Sequence, residues 1–304
     1  MAAEEKKEGI PAFLTPGELH SLSRLVLMSR YVVEGNLAGV HRSPQRGSST
    51  EFSDHRAYIQ GDDPRFIDWK VFGRTDRYYI RQYENETNLR VYLVLDRSAS
   101  MGYGSGKRTK YELACHLAAA FGYVVVKARD SVGLFLHSDK IDAKMEARNS
   151  FLHLNNMLKR LQGFKPAETT AIGPTLHQVA EAVHKRALIV VLSDLFGDTE
   201  EITQGLAHFR KQHHDVVLCH VLDPLELDLD FKRAVLFEDM ETREQITVDT
   251  RALAPEYRRV FGEFMDGYRR TCAQMNIDYR LITTDHDIEA FVRAYLDERR
   301  RLSK

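Results

Sequence analysis

Apolar positions along the chain follow two different rhythms, and the changes of rhythm mark the elements. From residue 89 onward, short unbroken apolar runs alternate with longer segments whose apolar residues recur every three or four positions. The runs at 91–95, 132–136, 187–192 and 216–221 predict strands buried on both faces. After Thr109, the residues Leu113, Ala114, Leu117, Ala118, Phe121, Val124 and Val125 share one stripe, and Thr109 with Glu112 forms a capping box, so a helix is predicted there. Further helices are predicted over 150–161, 172–186 and 200–212. Residues 234–237 and 245–248 predict a hairpin, 255–275 a helix, 277–283 a last strand and 288–301 a closing helix. Strands alternating with helices predict an α/β fold: a doubly wound, mainly parallel Rossmann-like sheet with helices on both faces. Its ligands belong beyond the carboxyl ends of the strands.

The first 88 residues read differently. Residues 1–14 are expected to form a disordered tail. Thr15-Pro16-Gly17-Glu18 is a helix-start signal, with Thr15 as N-cap and Pro16 at the first helical position, and the helix should fade near Gly35. From 38 to 88, glycines and Ser43-Pro44 interrupt a stretch dense in charge and aromatics. Phe66, Ile67, Trp69 and Phe72 argue for a small irregular subdomain of turns and short strands rather than a linker. The predicted organisation is therefore tail (1–14), N-terminal helix and subdomain (15–88), and α/β domain (89–304).

Composition narrows the functional classes. Lys and Arg number 43 and Asp and Glu 44, for a net charge of -1, so no global field draws the chain to nucleic acid or an anionic membrane. Arg299-Arg300-Arg301 suits the negative end of the last helix and needs no nucleic acid to explain it. The charged N-terminus lacks the apolar core of a secretory signal, and no run is apolar enough to insert in a membrane. Cys115, Cys219 and Cys272 lie far apart without metal-ligand spacing and read as buried thiols. A cytoplasmic protein is expected.

Candidate chemistry gathers at the predicted strand ends. Asp96-Arg97-Ser98-Ala99-Ser100 follows the first buried strand and presents a carboxylate and two hydroxyls at alternate positions. Ser193-Asp194 follows the strand 187–192, and Thr169-Thr170 precedes a helix. All are hard oxygen donors of the type that Mg²⁺ or Mn²⁺ prefers. Other motifs fail on their details. Gly102-Tyr103-Gly104-Ser105-Gly106-Lys107-Arg108 has Met101 where a phosphate loop needs glycine and Arg108 where it needs Ser or Thr, so ATP hydrolysis is not expected. The interleaved acids and bases of 54–70 suit salt-bridged turns better than a nuclease centre. His213-His214 reads as a turn or surface pair, and no serine or cysteine carries a nucleophile signature.

Asp96-x-Ser98-x-Ser100, a threonine before a helix and an Asp after a later strand resemble the metal-ion-dependent adhesion site of von Willebrand factor A (vWA) domains. That resemblance implies Mg²⁺ or Mn²⁺ held by Asp96, Ser98, Ser100, Thr170 and Asp194, weakly without a partner, whose carboxylate completes the shell. Thr169 and Thr170 both stand near the right place, Thr170 being the better match. A second resemblance covers the N-terminal subdomain. Gly47-x-x-x-Glu51-Phe52, Arg56-x-Tyr58, Gly61-Asp62-x-x-Arg65-x-Ile67-Asp68-Trp69 and Glu84-x-Glu86 resemble the signature of the bacterial domain-of-unknown-function 58 (DUF58) family.

By these resemblances the chain is a non-catalytic, chaperone-like assembly factor or adaptor. Its implied partners are a MoxR-type AAA+ ATPase and a client protein. The expected partner surface includes Arg56, Asp62, Arg65 and Asp68 of the signature, with Arg97 and Tyr103 beside the metal edge. Two readings compete with it. A haloacid-dehalogenase-type phosphohydrolase also sets an Asp after its first strand, but needs a second carboxylate two residues on, where Ser98 stands. A structural interaction domain with a vestigial metal site is the other.

Overall fold

The computed structural model describes residues 13–15, 17, 52–59, 64, 67–83, 89–166, 171–229, 235–238, 245–248 and 250–302. The predicted helix beginning at Thr15 lies almost wholly outside these residues. The chain divides into two compact units, Leu37–Asn88 and the remainder.

In the unit Leu37–Asn88, strand β1 (Phe52–Ala57) pairs antiparallel with β2 (Tyr79–Tyr83). Between them lies a short helix, α1 (Trp69–Thr75), where the sequence reading expected only turns and short strands. Its cause is local: the Asp68 carboxylate accepts from the backbone N–H groups of Lys70 and Val71, closing an N-cap. Phe72 stacks on Tyr78 at 4.5 Å between ring centroids.

The larger unit is the doubly wound domain that the alternation predicts. In chain order its elements are β3 (Arg90–Asp96), a 3-10 turn (Ala99–Gly102), α2 (Lys110–Lys127), β4 (Ser131–His137), β5 (Ile141–Arg148), α3 (Phe151–Gly163) and α4 (Ile172–Ala182). Then follow β6 (Leu188–Ser193), α5 (Thr199–Lys211), β7 (Asp215–Leu222), α6 (Pro224–Asp228), the hairpin β8 (Val235–Glu238) and β9 (Gln245–Val248), α7 (Thr250–Gln274), β10 (Asp278–Thr283) and α8 (Ile288–Leu302). The six-stranded sheet runs β10-β7-β6-β3-β4-β5, all parallel except the β4–β5 pair.

The sheet separates two cores, because successive residues of a strand face opposite ways. Val91, Leu93 and Leu95 of β3 pack with Val190, Leu192, Val217 and Cys219 under α2, α3 and α8, where Leu14 also lodges. Tyr92 and Val94 pack with Ile189, Val191, Val216 and Leu218 under α4, α5 and α7. Cys115, Cys219 and Cys272 are all free and buried, as expected. The Thr109–Glu112 capping box is present, each side chain accepting from the other residue's backbone N–H.

Several boundaries move for tertiary reasons. The helix predicted over 172–186 stops at Ala182, where the Val183 carbonyl turns to accept from the ring of His214 instead of continuing the helix. That histidine, expected at the surface or in a turn, is fully buried, whereas His213 does occupy a left-handed turn with φ 63°. Helix α7 begins at Thr250, so Pro255 sits inside it and not at its start. Strand β5 is absent from the sequence reading, although Ile141, Ala143, Met145 and Ala147 alternate with charged residues in the manner of a protected edge. Short α6 was missed as well.

Candidate metal and partner site

The chain leaves β3 towards β4 on one side of the sheet and returns through β6 to the other, so the carboxyl ends of β3 and β6 flank the topological switch point. Strand register puts Asp96 opposite His137, Leu95 opposite Leu192, and Ser193 opposite His220. Asp96, His137, Ser193 and His220 therefore form one row across four strand ends.

Asp96 is 1% exposed. One carboxylate oxygen accepts from the Ser98 backbone N–H at 2.8 Å, and the other accepts from the Ser193 hydroxyl at 2.7 Å. The Ser98 and Ser100 hydroxyl oxygens are 3.1 Å apart, brought together by the 3-10 turn. Burial raises the Asp96 carboxyl above the ordinary carboxylate range against the pull of His137, and Asp194 adds to the rise.

Asp194, one residue past β6, is also buried, but its carboxylate is engaged. Lys110, the first residue of α2, is fully buried, and its Nζ lies 2.7 Å from Asp194 Oδ2 and 2.6 Å from Glu226 Oε1. The ammonium also stands 4.9 Å from the centroid of the Phe196 ring. Burial alone would lower its pKa; the two carboxylates outweigh burial and raise it, so the lysine is charged. The Glu226 carboxyl is raised by its own burial against the attraction of Lys110.

Behind this pair, His220 Nε2–H donates to the Asp194 carbonyl at 2.9 Å while its Nδ1 accepts from the Tyr279 hydroxyl at 2.7 Å. Burial lowers this imidazole to about 4, which keeps it neutral. His137 is different: it is fully buried beside Asp96, and among the described residues neither ring nitrogen has a hydrogen-bond partner.

Two further tethers shape the rim. Asp223 caps α6 and accepts from the Ser105 backbone and hydroxyl at 2.9 and 2.6 Å and from the Thr284 hydroxyl at 2.7 Å. Arg108 donates to the backbone oxygens of Thr284 and His286. The glycine-rich segment 102–108 is thus latched to the ends of β7 and β10. Gly104 is required there, since a Cβ would stand 2.4 Å from the Arg108 carbonyl oxygen.

The structure brings Asp96, Ser98, Ser100 and Asp194 to one edge, as the sequence reading placed them. Thr169 and Thr170 lie outside the described residues; Ala171, which follows them, donates its backbone N–H to the Ser138 carbonyl just beyond β4. Arg97 does not belong to an exposed partner surface. It is buried, with its guanidinium forked onto Asp142 at 2.7 and 3.1 Å and donating also to the Lys165 carbonyl. Asp68 is likewise a buried helix cap, not an exposed contact. Tyr103 remains partly exposed at the rim, and its carbonyl accepts from the Lys110 backbone N–H. Arg56 lies in β1 opposite Ile80, while Asp62 and Arg65 fall outside the described residues.

The donor chemistry fits a hard divalent cation at Asp96, Ser98 and Ser100, whose oxygens are the ligands such ions take. The orphaned His137 ring next to them is a polar group that a bound ligand shell can satisfy. At Asp194 the fit depends on the Lys110 contact. Among the described residues no three His, Cys, Asp or Glu side chains converge as a ligand group, so any cation here relies on hydroxyls and water for most of its shell. Lys110, Glu226, Asp223, His137 and His220 escaped the sequence reading. For Asp223 and Glu226 a signal existed, Asp223-Pro224-Leu225-Glu226 directly after a predicted strand being a helix-start box.

Residues 54–266 match the model of the family described as Protein of unknown function DUF58. The chain belongs to the DUF58 family. It is 26% identical over 286 residues to Uncharacterized protein Mb1516 of Mycobacterium bovis and, equally, to Uncharacterized protein Rv1480 of Mycobacterium tuberculosis, covering 92% of this chain and 89% of each relative. Among solved structures it is similar to BatB from Bacteroides thetaiotaomicron, a conserved hypothetical protein, at 13% identity and a TM-score of 0.46 over 70% of this chain and 99% of that one. It is also similar to the SpRpn10 VWA domain, at 10% identity and a TM-score of 0.37 over 68% of this chain and 94% of that one. These two likenesses are of outline only. No helix among the described residues is long and apolar enough to cross a membrane.

Proposed function

We propose that the chain is a protein-binding module of vWA type whose contact with a partner runs through a divalent cation at the carboxyl ends of β3 and β6. One observation carries this reading: Asp96, Ser98 and Ser100 converge at the end of the central strand, beside Asp194 at the end of its neighbour, at the switch point where α/β sheets take ligands. Mg²⁺ or Mn²⁺ bound there would supply a positive anchor for a partner's carboxylate. The chain's own part is to hold Asp96 in place through Ser98 and Ser193, and to present Tyr103 at the rim.

On the DUF58 resemblance, the partner is a MoxR-type AAA+ ATPase and the chain its adaptor towards a client. No reaction is assigned. Ser98 stands where a phosphohydrolase of haloacid dehalogenase type needs its acid, and its hydroxyl pairs with the hydroxyl of Ser100. The buried Lys110–Asp194 pair favours a second reading, in which the module binds its partner without metal. Electron paramagnetic resonance of free Mn²⁺ during titration separates the two. One site in the wild type, lost in Asp96→Ala and Asp194→Ala, is expected, together with EDTA-sensitive capture of the purified ATPase; capture indifferent to EDTA and to Asp96→Ala would remove the cation from the mechanism.

A further inference from the structure

We propose that Lys110 is a resident cation of this site, an internal ammonium that competes with a divalent ion for Asp194. The inference rests on the metal-dependent reading above and adds a means of regulating it. A fully buried lysine is rare and demands paired charge. Here two elements distant in sequence supply that charge, Asp194 from the end of β6 and Glu226 from α6, both within 2.7 Å of Nζ. The backbone of Lys110 is fixed as well, its N–H donating to the Tyr103 carbonyl at 2.8 Å. The ammonium therefore enters the site from a defined direction, set by the first turn of α2.

The consequence for Asp194 is specific. Its Oδ2 accepts from Lys110, and its Oδ1 accepts from the Phe196 backbone N–H at 3.3 Å. A carboxylate so engaged has its charge already neutralised and one face closed. A second cation sharing it meets the repulsion of the first at short range in a buried setting, where screening is weak. Asp96, by contrast, has among the described residues neutral donors on its oxygens, one backbone N–H and one hydroxyl. The two carboxylates at the switch point are thus unequal: Asp96 is held by neutral donors and Asp194 by a cation.

The same ammonium ties the site to its surroundings. Glu226 uses its other oxygen to accept from the Asp223 backbone N–H at 2.7 Å, and its carbonyl accepts from the Tyr257 hydroxyl of α7 at 2.6 Å. Releasing Lys110 from Asp194 leaves it on Glu226 alone, so the cation that Asp194 selects is sensed by α6 and by the first half of α7. The site has two states, ammonium-held and metal-held, and differs in this from a carboxylate pair that waits open for its ion.

The test uses the full chain and Mn²⁺ alone. Free Mn²⁺ is titrated by electron paramagnetic resonance for wild type, Lys110→Met and Lys110→Gln, and thermal melting is followed with and without the ion. Lys107→Gln serves as control, because Lys107 is an exposed cation of the same segment. Removing a like charge beside a bound divalent ion should tighten binding on the order of 10–100-fold. We expect that gain in Lys110→Met and Lys110→Gln, a larger Mn²⁺-dependent rise in melting temperature than in the wild type, and no comparable change in Lys107→Gln. Lys110→Gln, whose amide still donates to a carboxylate, reads the effect if Lys110→Met does not fold. Wild-type binding with unchanged or weaker affinity in folded Lys110 variants overturns the inference and leaves the metal-dependent reading standing; an equal gain in Lys107→Gln reduces it to net charge and overturns it too. Binding by none of the folded proteins overturns both.

Discussion

The Ser193 hydroxyl donates to Asp96 Oδ2 across 2.7 Å, joining the ends of two adjacent strands whose residues lie 97 apart in sequence. The Ser193 hydroxyl oxygen in turn accepts from the Leu195 backbone N–H at 3.0 Å, so one small side chain orders both the carboxylate and the turn that carries Asp194. Ser193→Ala should cost about 1–3 kcal/mol in urea unfolding, the range for leaving a buried acceptor without its donor. Ser193→Thr, which keeps the hydroxyl, should recover part of that loss, and an alanine variant as stable as the wild type would show that the bond contributes nothing.

Arg97 was expected to meet a partner and instead locks the Asp96–Ser100 segment against the β5 edge. Burial alone would raise the Asp142 carboxyl, but the bonds from Arg97 and Ser138 prevail and lower it. Arg97→Ala should destabilise the fold by on the order of 3 kcal/mol, as expected for a buried ion pair robbed of one member. Arg97→Lys should fall between the two, since a lysine cannot reproduce the two-pronged contact. Equal urea midpoints for all three proteins would contradict this account.

Helices α4 and α5 cross where Gly173 meets Glu201 and Gly205 meets Leu176. A Cβ built on Gly173 would lie 2.5 Å from the Glu201 Cβ and 2.8 Å from its backbone carbonyl carbon. Gly173→Ala should therefore destabilise by about 1–3 kcal/mol through overpacking, although alanine is the better helix former by about 1 kcal/mol. Gly163→Ala, at the end of α3 with open space around it, is the matched control and should be close to neutral in the same thermal melts.

Acid should weaken the domain through its buried neutral histidines. His214 is buried as a neutral ring, its Nδ1 accepting from the Ala187 N–H at 3.2 Å and its Nε2–H donating to the Val183 carbonyl at 3.1 Å. Burial lowers its pKa against the pull of that carbonyl, and His220 is lowered likewise to about 4. The unfolded chain then takes up protons first, from about pH 6.5 downward. Stability is complete above that pH and is lost as pH falls towards the folded values, by about 1.4 kcal/mol per pH unit for each such histidine. Urea unfolding at pH 7.5, 6 and 5 should show the decline, and His214→Asn should flatten it while lowering stability at neutral pH.

The strand runs 91–95, 187–192 and 216–221 were legible because a buried parallel strand is apolar on both faces, a pattern that survives without any knowledge of neighbours. The Thr109–Glu112 box was legible because capping is a contact between residues three apart. Strand β5 and helix α1 escaped for opposite reasons. The first mixes charge into its alternation because it is an edge, and the second is a helix of only 7 residues set off by a single cap at Asp68.

The site divides along the same line. The sequence by itself determined that Asp96, Ser98, Ser100 and Asp194 follow buried strands, hence that they gather at one sheet edge, because parallel strands end together. It also determined membership of the DUF58 family, whose model matches residues 54–266. Only the tertiary structure decided what each carboxylate holds. Lys110 and Asp194 are 84 residues apart, and Lys110 and Glu226 are 116 apart. Nothing in local propensity distinguishes a lysine at the start of an exposed helix from one driven into the core between two acids. That choice is made by packing: helix α2 lies across the sheet with its first turn over the switch point, where Asp194 and Glu226 come within reach of the buried ammonium.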